Sequence, residues 1–179
     1  MAGLQTDVVG EMPPFLQNLL NSDLALLVLL GVFVLEGAML MYFMPSELVV
    51  PGAILLIGDT SRLLAPENLL IVAVAVVGAT AGQYALFKLA QRGGREYLLE
   101  KRWFRVSEER LDRFDGWFER WGPVVVPLSN TMLFTRGMLT VPAGFSDLRD
   151  RTFVLYSALG TLSFEVILAG VLVFLDTTL

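Results

Sequence analysis

The chain has 179 residues, 55% of them hydrophobic and 17% charged, whereas an average soluble domain has about 25% charged residues. This composition indicates an integral membrane protein with a single domain and room for only a handful of spans of about 20 residues each. The absence of Cys and His excludes disulfides, thiolate or imidazole metal sites and the usual nucleophile–base pairs, and the net charge of −5 excludes nucleic acid as a partner.

The N-terminal segment, residues 1–23, contains no Lys or Arg, whereas Asp7, Glu11 and Asp23 are acidic. Because basic residues concentrate on the cytoplasmic side of membrane proteins, this segment is predicted to be extracytoplasmic. It also lacks the basic n-region of a secretory signal, so we expect it to belong to the mature chain.

The first apolar segment covers residues 24–57 and contains Pro45 and Pro51. Proline removes a backbone hydrogen-bond donor and clashes with the preceding turn, so one straight helix through this segment is forbidden. We predict that the segment breaks near Pro45 and forms a re-entrant hairpin, which enters and leaves the membrane by the same face. The alternative is that residues 24–43 form one full span.

Residues 69–90 are the clearest single transmembrane helix. Within this run Gly78 and Gly82 lie four residues apart and are followed by the polar Gln83. Small residues at this spacing allow helix backbones to approach closely in lipid. We therefore expect another helix to pack tightly against this face.

The next region, residues 91–122, carries eight of the 13 basic residues of the chain. These are Arg92, Arg95, Lys101, Arg102, Arg105, Arg110, Arg113 and Arg120. The positive-inside rule places this region in the cytoplasm.

Part of this basic region has the pattern of an amphipathic helix. Its apolar residues at helical spacing are Leu111, Phe114, Trp117, Phe118 and Trp121. Such a helix lies either in the membrane interface or on the core of the protein itself, and the pattern alone leaves both interpretations open.

The second apolar segment, residues 123–144, has too many polar residues and prolines for a helix that faces lipid. They are Pro127, Ser129, Asn130, Thr131, Arg136 and Pro142. Basic residues flank the segment on both sides, with Arg149 and Arg151 after it. A segment with both ends in the cytoplasm is predicted to be a second re-entrant hairpin.

Residues 152–175 are predicted to span the membrane, with Glu165 near the middle. Because residues 69–90 must reach the cytoplasmic region from outside, the first hairpin begins and ends outside. The predicted fold is therefore an all-α integral membrane domain over residues 24–175. It has two oppositely inserted re-entrant hairpins, each followed by a transmembrane helix, as an inverted repeat. Transporters place their sites near the midplane between such repeats.

Two acidic residues, Glu36 and Glu47, lie in the first apolar segment. A carboxylate there costs several kcal/mol unless it is paired, protonated or in contact with water, so the two are candidates for binding a proton or a monovalent cation. The alternative for Glu47 is a structural role at a helix N-terminus, where a carboxylate is favourable.

Arg136 is the basic residue of the second hairpin and does not become neutral by losing a proton. It therefore requires an anion. The candidates are Glu36, Glu47, Glu165 or the phosphate of a lipid, which a guanidinium can hold with two parallel hydrogen bonds. We predict that Glu47 and Arg136 approach each other near the midplane.

A series of short motifs resembles the DedA family, also called SNARE-associated or VTT-domain proteins, over residues 24–175. In chain order the motifs are Glu36, Pro45-Ser46-Glu47, Gly78-x-x-x-Gly82, Gln91-Arg92-Gly93-Gly94-Arg95, Arg136, Val141-Pro142-Ala143-Gly144 and Tyr156-x-x-x-Gly160. The resemblance implies two facing re-entrant hairpins and a function in lipid translocation. Bacterial members are associated with recycling of polyprenyl-phosphate carriers driven by the proton motive force, and eukaryotic relatives with phospholipid scrambling.

The resemblance also assigns roles to residues. It implies that Glu36 and Glu47 are the functional acidic pair and that Arg136 is the second of two functional arginines. The chain departs from the pattern at Asn130, where the first arginine is usual, and at Gln83, where an acidic residue is common. Asn130 can donate hydrogen bonds to a phosphate but adds no charge.

The function expected from the sequence is a transporter or flippase that moves a lipid phosphate, either a polyprenyl phosphate or a phospholipid, with or without proton coupling. Arg136 and Asn130 would bind the phosphate and Glu36 and Glu47 a proton or cation, with Glu165 and Gln83 as accessory residues. An energy-independent scramblase and a cation–proton exchanger are the alternatives. An enzyme is not expected, because there is no His, and no cofactor or metal is expected either.

The expected partners are membrane lipids and protons or monovalent cations. We expect the protein in the plasma membrane with several passes, and the sequence leaves open whether it forms a homo-oligomer.

Overall fold

The structure is a computed structural model that describes residue 18 and residues 24–41, 46–100, 107–132 and 136–178. Within these ranges the α-helices are α1 (Ala25–Gly37), α2 (Val49–Ile57), α3 (Pro66–Glu100), α4 (Glu108–Trp121), α5 (Val125–Thr131), α6 (Thr140–Phe145) and α7 (Asp150–Thr178). No strand occurs among the described residues, so the prediction of an all-α chain is confirmed. Apart from residue 18, the predicted N-terminal segment 1–23 lies outside them.

Two of the helices are long and apolar enough to cross a membrane. They are the parts of α3 and α7 over Pro66–Gly94 and Asp150–Asp176, with mean hydropathies of 2.0 and 2.2. These stretches contain the predicted spans, residues 69–90 and 152–175. The predicted cytoplasmic region begins inside α3, because the helix continues to Gly94, where a φ of 71° interrupts it. Glycine adopts this conformation without the steric cost of a Cβ atom.

The two long helices run antiparallel, as shown by the apolar clusters at their ends. At one end, Ile71 and Val72 of α3 share a buried cluster with Ala169 and Leu172 of α7. At the other end, the rings of Phe87 and Phe153 stack with their centroids 4.2 Å apart. The middle of the pair therefore lies between two apolar clusters.

Helix α1 packs on α3 with almost no space between the backbones. A Cβ atom at Gly82 would collide with the carbonyl oxygen of Val34, and one at Gly78 would lie 2.8 Å from the carbonyl oxygen of Leu30. The close packing predicted for these two glycines is confirmed. It also means that the end of α1, at Gly37, lies beside the middle of α3.

Helix α5 has the same relation to α7. A Cβ atom at Gly160 would lie 2.6 Å from the carbonyl oxygen of Pro127 and 2.7 Å from the Cβ atom of Asn130, which is near the end of α5. In addition, α2 contacts α7 and α6 contacts α3, so each long helix receives a short helix from the other half of the chain. These contacts are compatible with opposed hairpins, and the re-entrant insertion itself stays a prediction.

The first helix of the 24–57 segment ends well before Pro45. Helix α1 ends at Gly37 and Met39 has a positive φ of 57°, whereas the break was predicted near Pro45, which lies outside the described residues. The 13 residues of α1 measure about 20 Å at 1.5 Å per residue, against about 30 Å for a hydrocarbon core. This length favours the hairpin over a full span of residues 24–43.

Helix α4 has features of both open interpretations. Phe118 is half-buried and packs against the clusters that contain Val126 and Leu139. Trp117 and Trp121 are 39% and 65% exposed, as expected for aromatic residues in an interface. The side chains of Leu111 and Phe114 are outside the described part, as are residues 101–106.

Candidate functional site

The centre of the molecule contains a buried polar stripe on α7. Ser157, Thr161 and Glu165 recur every fourth residue, which places them on one face of the helix, and all three are fully buried. Phe153 and Ala169, farther along the same face, belong to the apolar clusters at the two ends. The polar groups are therefore confined to the middle of the predicted span.

Arg136 lies against this stripe, in the turn between α5 and α6. Its side chain is 5% exposed, and its Nη2 atom lies 2.7 Å from Oε1 of the fully buried Glu165. Its Nε atom lies 3.2 Å from Oε1 of Glu36, whose side chain is 13% exposed. Three separate parts of the chain thus supply one charged cluster, which we call the ion cluster: Glu36, Arg136 and Glu165.

An aromatic ring completes the environment of the guanidinium. The Cζ atom of Arg136 is 4.3 Å from the centroid of the Phe164 ring. A cation over the face of an aromatic ring is stabilised by the ring quadrupole, and the contribution grows when the pair is shielded from water. Phe164 therefore helps to hold the guanidinium in place beside Glu165.

The ion cluster brings opposite charges into contact, but few of its polar atoms form hydrogen bonds. Nη2 of Arg136 donates to Glu36 at 3.4 Å, at the long end of the range. Among the described residues, Nε and Nη1 of Arg136 and both carboxylate oxygens of Glu165 have no hydrogen-bond partner. The 2.7 Å contact between Arg136 and Glu165 is thus an ion pair without hydrogen-bond geometry. Buried polar groups are normally paired, so this cluster requires an explanation.

The predicted partner of Arg136 in the first segment was Glu47. It lies in the 3-10 turn Ser46–Leu48 immediately before α2, as the helix N-terminus alternative anticipates. It interacts electrostatically with Glu165, as Glu36 does. Among the described residues Arg136 forms ion pairs with Glu36 and Glu165, so the approach of Glu47 to Arg136 stays a prediction.

A second buried polar group, which we call the amide bridge, consists of Gln83, Asn130 and Ser157. The Nδ2 atom of Asn130 donates to Oε1 of Gln83 at 2.9 Å, and the hydroxyl of Ser157 donates to the same oxygen. The Oδ1 atom of Asn130 accepts from the backbone N–H of Gly137 at 3.0 Å. The amide bridge therefore joins α3, α5 and α7 and holds the turn that begins with Arg136.

The amide bridge joins two positions at which the sequence departs from the DedA pattern. Asn130 and Gln83 occupy the places of an arginine and an acidic residue, and in this chain they are hydrogen-bonded to each other. A neutral pair at these positions needs no compensating charge, so the two departures compensate for each other. The role of Asn130 as a phosphate ligand stays a proposal, and the structure gives it a positioning role that the sequence did not suggest.

Sequence reasoning also missed Ser157, Thr161 and Phe164. A signal was available for the first two, because polar residues at four-residue spacing in an apolar helix share one face with Glu165. No comparable pattern identifies Phe164, whose contact with Arg136 depends on the tertiary fold.

A further polar group fastens one end of α3 to α7. The hydroxyl of Tyr84 donates to Oδ2 of Asp150 at 2.8 Å, and Nζ of Lys88 lies 3.0 Å from the same oxygen. Lys88 also donates to the side chain of Gln91 at 2.7 Å. Lys88 and Asp150 are partly exposed and Tyr84 stacks on Phe87, so this group lies outside the buried central site.

Comparison with known proteins places these residues in context. The family model described as the VTT domain matches residues 24–174, which include every residue of the ion cluster and the amide bridge. Undecaprenyl phosphate transporter A of Bacillus subtilis (strain 168) is 23% identical over 93 residues, which are 51% of this chain and 47% of that transporter. The matched part therefore spans about half of the relative's length. No solved structure matches the chain.

Proposed function

Because the chain belongs to the VTT-domain family, a family of membrane proteins, we propose that it moves a lipid phosphate across the membrane. The substrate class is a polyprenyl phosphate or a phospholipid, and the protein is a multi-pass protein of the plasma membrane. The name of the Bacillus relative, an undecaprenyl phosphate transporter, supports the first of these substrates. The observation that carries the proposal is the buried, incompletely hydrogen-bonded guanidinium of Arg136.

The chemistry of Arg136 suits a phosphate. A guanidinium presents a rigid planar set of N–H donors that matches two phosphate oxygens, and it stays charged when it is buried. Its Nη1 group has no hydrogen-bond partner among the described residues, so a donor is available without breaking an existing hydrogen bond. Phe164 and the two carboxylates keep it oriented until the lipid arrives.

The position of Arg136 supports transport rather than simple binding. It follows α5, whose end lies beside the middle of α7, and its partner Glu36 is near the end of α1, beside the middle of α3. In opposed hairpins both residues would be near the midplane, where a head group passes from one side to the other. Glu36 and Glu47 are proposed to bind a proton or cation during this passage, and Gln83 and Asn130 to support the turn.

The proposal is tested by reconstituting the full chain in liposomes with labelled polyprenyl phosphate or labelled phospholipid, with and without a pH gradient. We expect the polyprenyl phosphate to cross faster with protein than without, and Arg136→Gln to abolish that increase. Arg113→Gln is a matched control, because Arg113 is exposed and its ion pair with Glu109, at 3.6 Å, lies on the surface. Unchanged transport in Arg136→Gln would contradict the proposal.

The scramblase alternative is favoured by one observation, the polar stripe of Ser157, Thr161 and Glu165 within an apolar helix. A polar path of this kind could let head groups of any lipid slide through without tight binding. The same liposomes distinguish the two functions. A scramblase would move both lipids equally, ignore the pH gradient and tolerate Arg136→Gln.

A further inference from the structure

The ion cluster has an uneven charge. With all three side chains ionised, Arg136 contributes one positive charge and Glu36 and Glu165 two negative charges, so the buried group carries a net charge of −1. An incoming phosphate would add one or two more negative charges. Because like charges repel strongly where water is scarce, the cluster must lose negative charge when the phosphate binds.

The two carboxylates differ in how they are stabilised. Glu36 is partly exposed and accepts a hydrogen bond from Arg136. Glu165 is 0% exposed, and neither of its oxygens has a hydrogen-bond donor among the described residues. The charge on Glu165 is therefore stabilised mainly by the nearby guanidinium, and an isolated buried carboxylate takes up a proton rather than stay ionised.

We propose that Glu165 is an internal counter-ion that pairs with Arg136 in the absence of the lipid and takes up a proton when the phosphate displaces it. This inference rests on the proposed function and adds a residue and a stoichiometry to it. In the exchange, an ion pair between Arg136 and the phosphate replaces the one with Glu165. The proton comes from hydronium or a buffer acid, whose bond to that hydrogen breaks as an O–H bond forms on the Glu165 carboxyl. No other covalent bond changes.

Few other groups can accept this proton. Glu36 and Glu47 are the acidic side chains that interact electrostatically with Glu165, and Arg136 is its cation. The short helices α2, α5 and α6 have no titratable residues in their sequences. On α3, Tyr84 and Lys88 are bonded to Asp150 near the end of the helix pair. The test must therefore distinguish Glu165 from Glu36 and Glu47.

Proton uptake makes phosphate binding depend on pH. If one proton accompanies each bound phosphate, the dissociation constant rises by up to tenfold for each pH unit above neutrality. The second ionisation of a phosphate monoester has a pKa of about 6, so measurements above pH 7 keep the ligand itself dianionic. Replacing Glu165 with Gln should remove the dependence and leave a dissociation constant close to the low-pH value of the unmodified protein.

The experiment uses the full chain in nanodiscs of zwitterionic phospholipid, titrated calorimetrically with farnesyl phosphate at pH 7.5. Titrations in two buffers of different ionisation enthalpy give the number of protons taken up for each phosphate bound. We expect about one for the unmodified protein and about zero for Glu165→Gln, which still binds. Loss of uptake in Glu36→Gln or Glu47→Gln, with uptake retained in Glu165→Gln, would assign the proton to that residue and overturn the inference. Glu165→Asp keeps the carboxyl group and should restore uptake, which separates loss of the acid from misfolding.

Each result decides between specific statements. Binding without proton uptake by the unmodified protein would overturn the role of Glu165 while the proposed function stands. Full uptake in Glu165→Gln would assign the proton to another group and overturn the inference. Absence of binding by the unmodified protein would overturn both, because the inference requires a phosphate on Arg136.

Discussion

The amide bridge and the ion cluster are neighbours at the centre of the molecule and both include a side chain of α7, yet they differ in how completely they are hydrogen-bonded. In the amide bridge, Gln83 accepts from Asn130 and Ser157, and Asn130 accepts from the backbone of Gly137. In the ion cluster, Glu165 has a charge partner and no hydrogen-bond donor among the described residues.

The difference in hydrogen bonding indicates different roles for the two groups. A buried polar network that is fully paired fixes the positions of the helices that contribute to it. A buried charge with unused donors and acceptors adds little stability, and it is retained where another partner, such as a ligand or a proton, completes it. We therefore assign a positioning role to the amide bridge and a binding role to the ion cluster.

The largest effect on stability is expected when the positive charge of the ion cluster is removed and its two carboxylates remain. Arg136→Gln leaves two carboxylates buried without a cation, and removal of one partner from a buried pair costs about 3–5 kcal/mol. Arg136→Gln combined with Glu165→Gln should recover much of this loss, because the second change removes one of the unpaired charges. Thermal unfolding in detergent at pH 7.5 measures both variants.

The pH dependence of the same variants provides a control. Lowering the pH to 5 should reduce the loss in Arg136→Gln, since protonation neutralises the carboxylates, and should change the double variant less. Equal losses in the single and double variants at both pH values would show that Glu36 and Glu165 do not depend on Arg136.

A smaller effect is expected from charging the amide bridge. Asn130→Arg places a second guanidinium beside Gln83, and Gln83→Glu places an unpaired carboxylate beside Asn130. Each single change should destabilise the protein by about 1–3 kcal/mol, the usual cost of an unsatisfied buried polar group, and more if the new charge stays ionised. The double variant restores a complementary pair and should be more stable than the sum of the single changes predicts.

This double-mutant cycle also tests the positioning role. If the charged pair only replaces the hydrogen bond between the two side chains, lipid-phosphate binding in the double variant should stay within a few-fold of that in the unmodified protein. Much tighter binding in Asn130→Arg alone, with no loss of stability, would instead support Asn130 as a direct phosphate ligand.

Much of the fold follows from hydropathy, because a span of about 20 apolar residues is a local property of the chain. Residues 69–90 and 152–175 were therefore predicted within α3 and α7. The end of α1 at Gly37 was not predicted, because the close approach of its backbone to Ala79 is a tertiary contact that proline positions do not reveal. The prediction relied on Pro45 and placed the break near that residue, which lies outside the described residues.

The site was predicted to the extent that it depends on the cost of burying charge. That cost identified Glu36, Arg136 and Glu165, which the structure brings together. The cost of burying charge does not tell whether Glu165 or Glu47 pairs with Arg136. That pairing depends on which face of α7 contacts the turn that begins with Arg136. The bond between Asn130 and Gln83 joins residues 47 positions apart and likewise depends on the register of two helices.

The smallest effect on stability is expected for the polar stripe of α7, where Ser157 and Thr161 lie one helical turn apart and can be compared. The hydroxyl of Ser157 donates to Gln83, whereas the hydroxyl of Thr161 is buried and has no hydrogen-bond partner among the described residues. Ser157→Ala should cost about 0.5–1.5 kcal/mol, the net value of one hydrogen bond. Thr161→Val keeps the shape and removes an unpaired hydroxyl, so stability should stay the same or rise.

Lipid-phosphate transport should show the opposite order of effects. We expect a loss in Thr161→Val if its hydroxyl binds the head group, and little change in Ser157→Ala. If Thr161→Val leaves transport intact, the polar path is limited to Arg136 and its carboxylates.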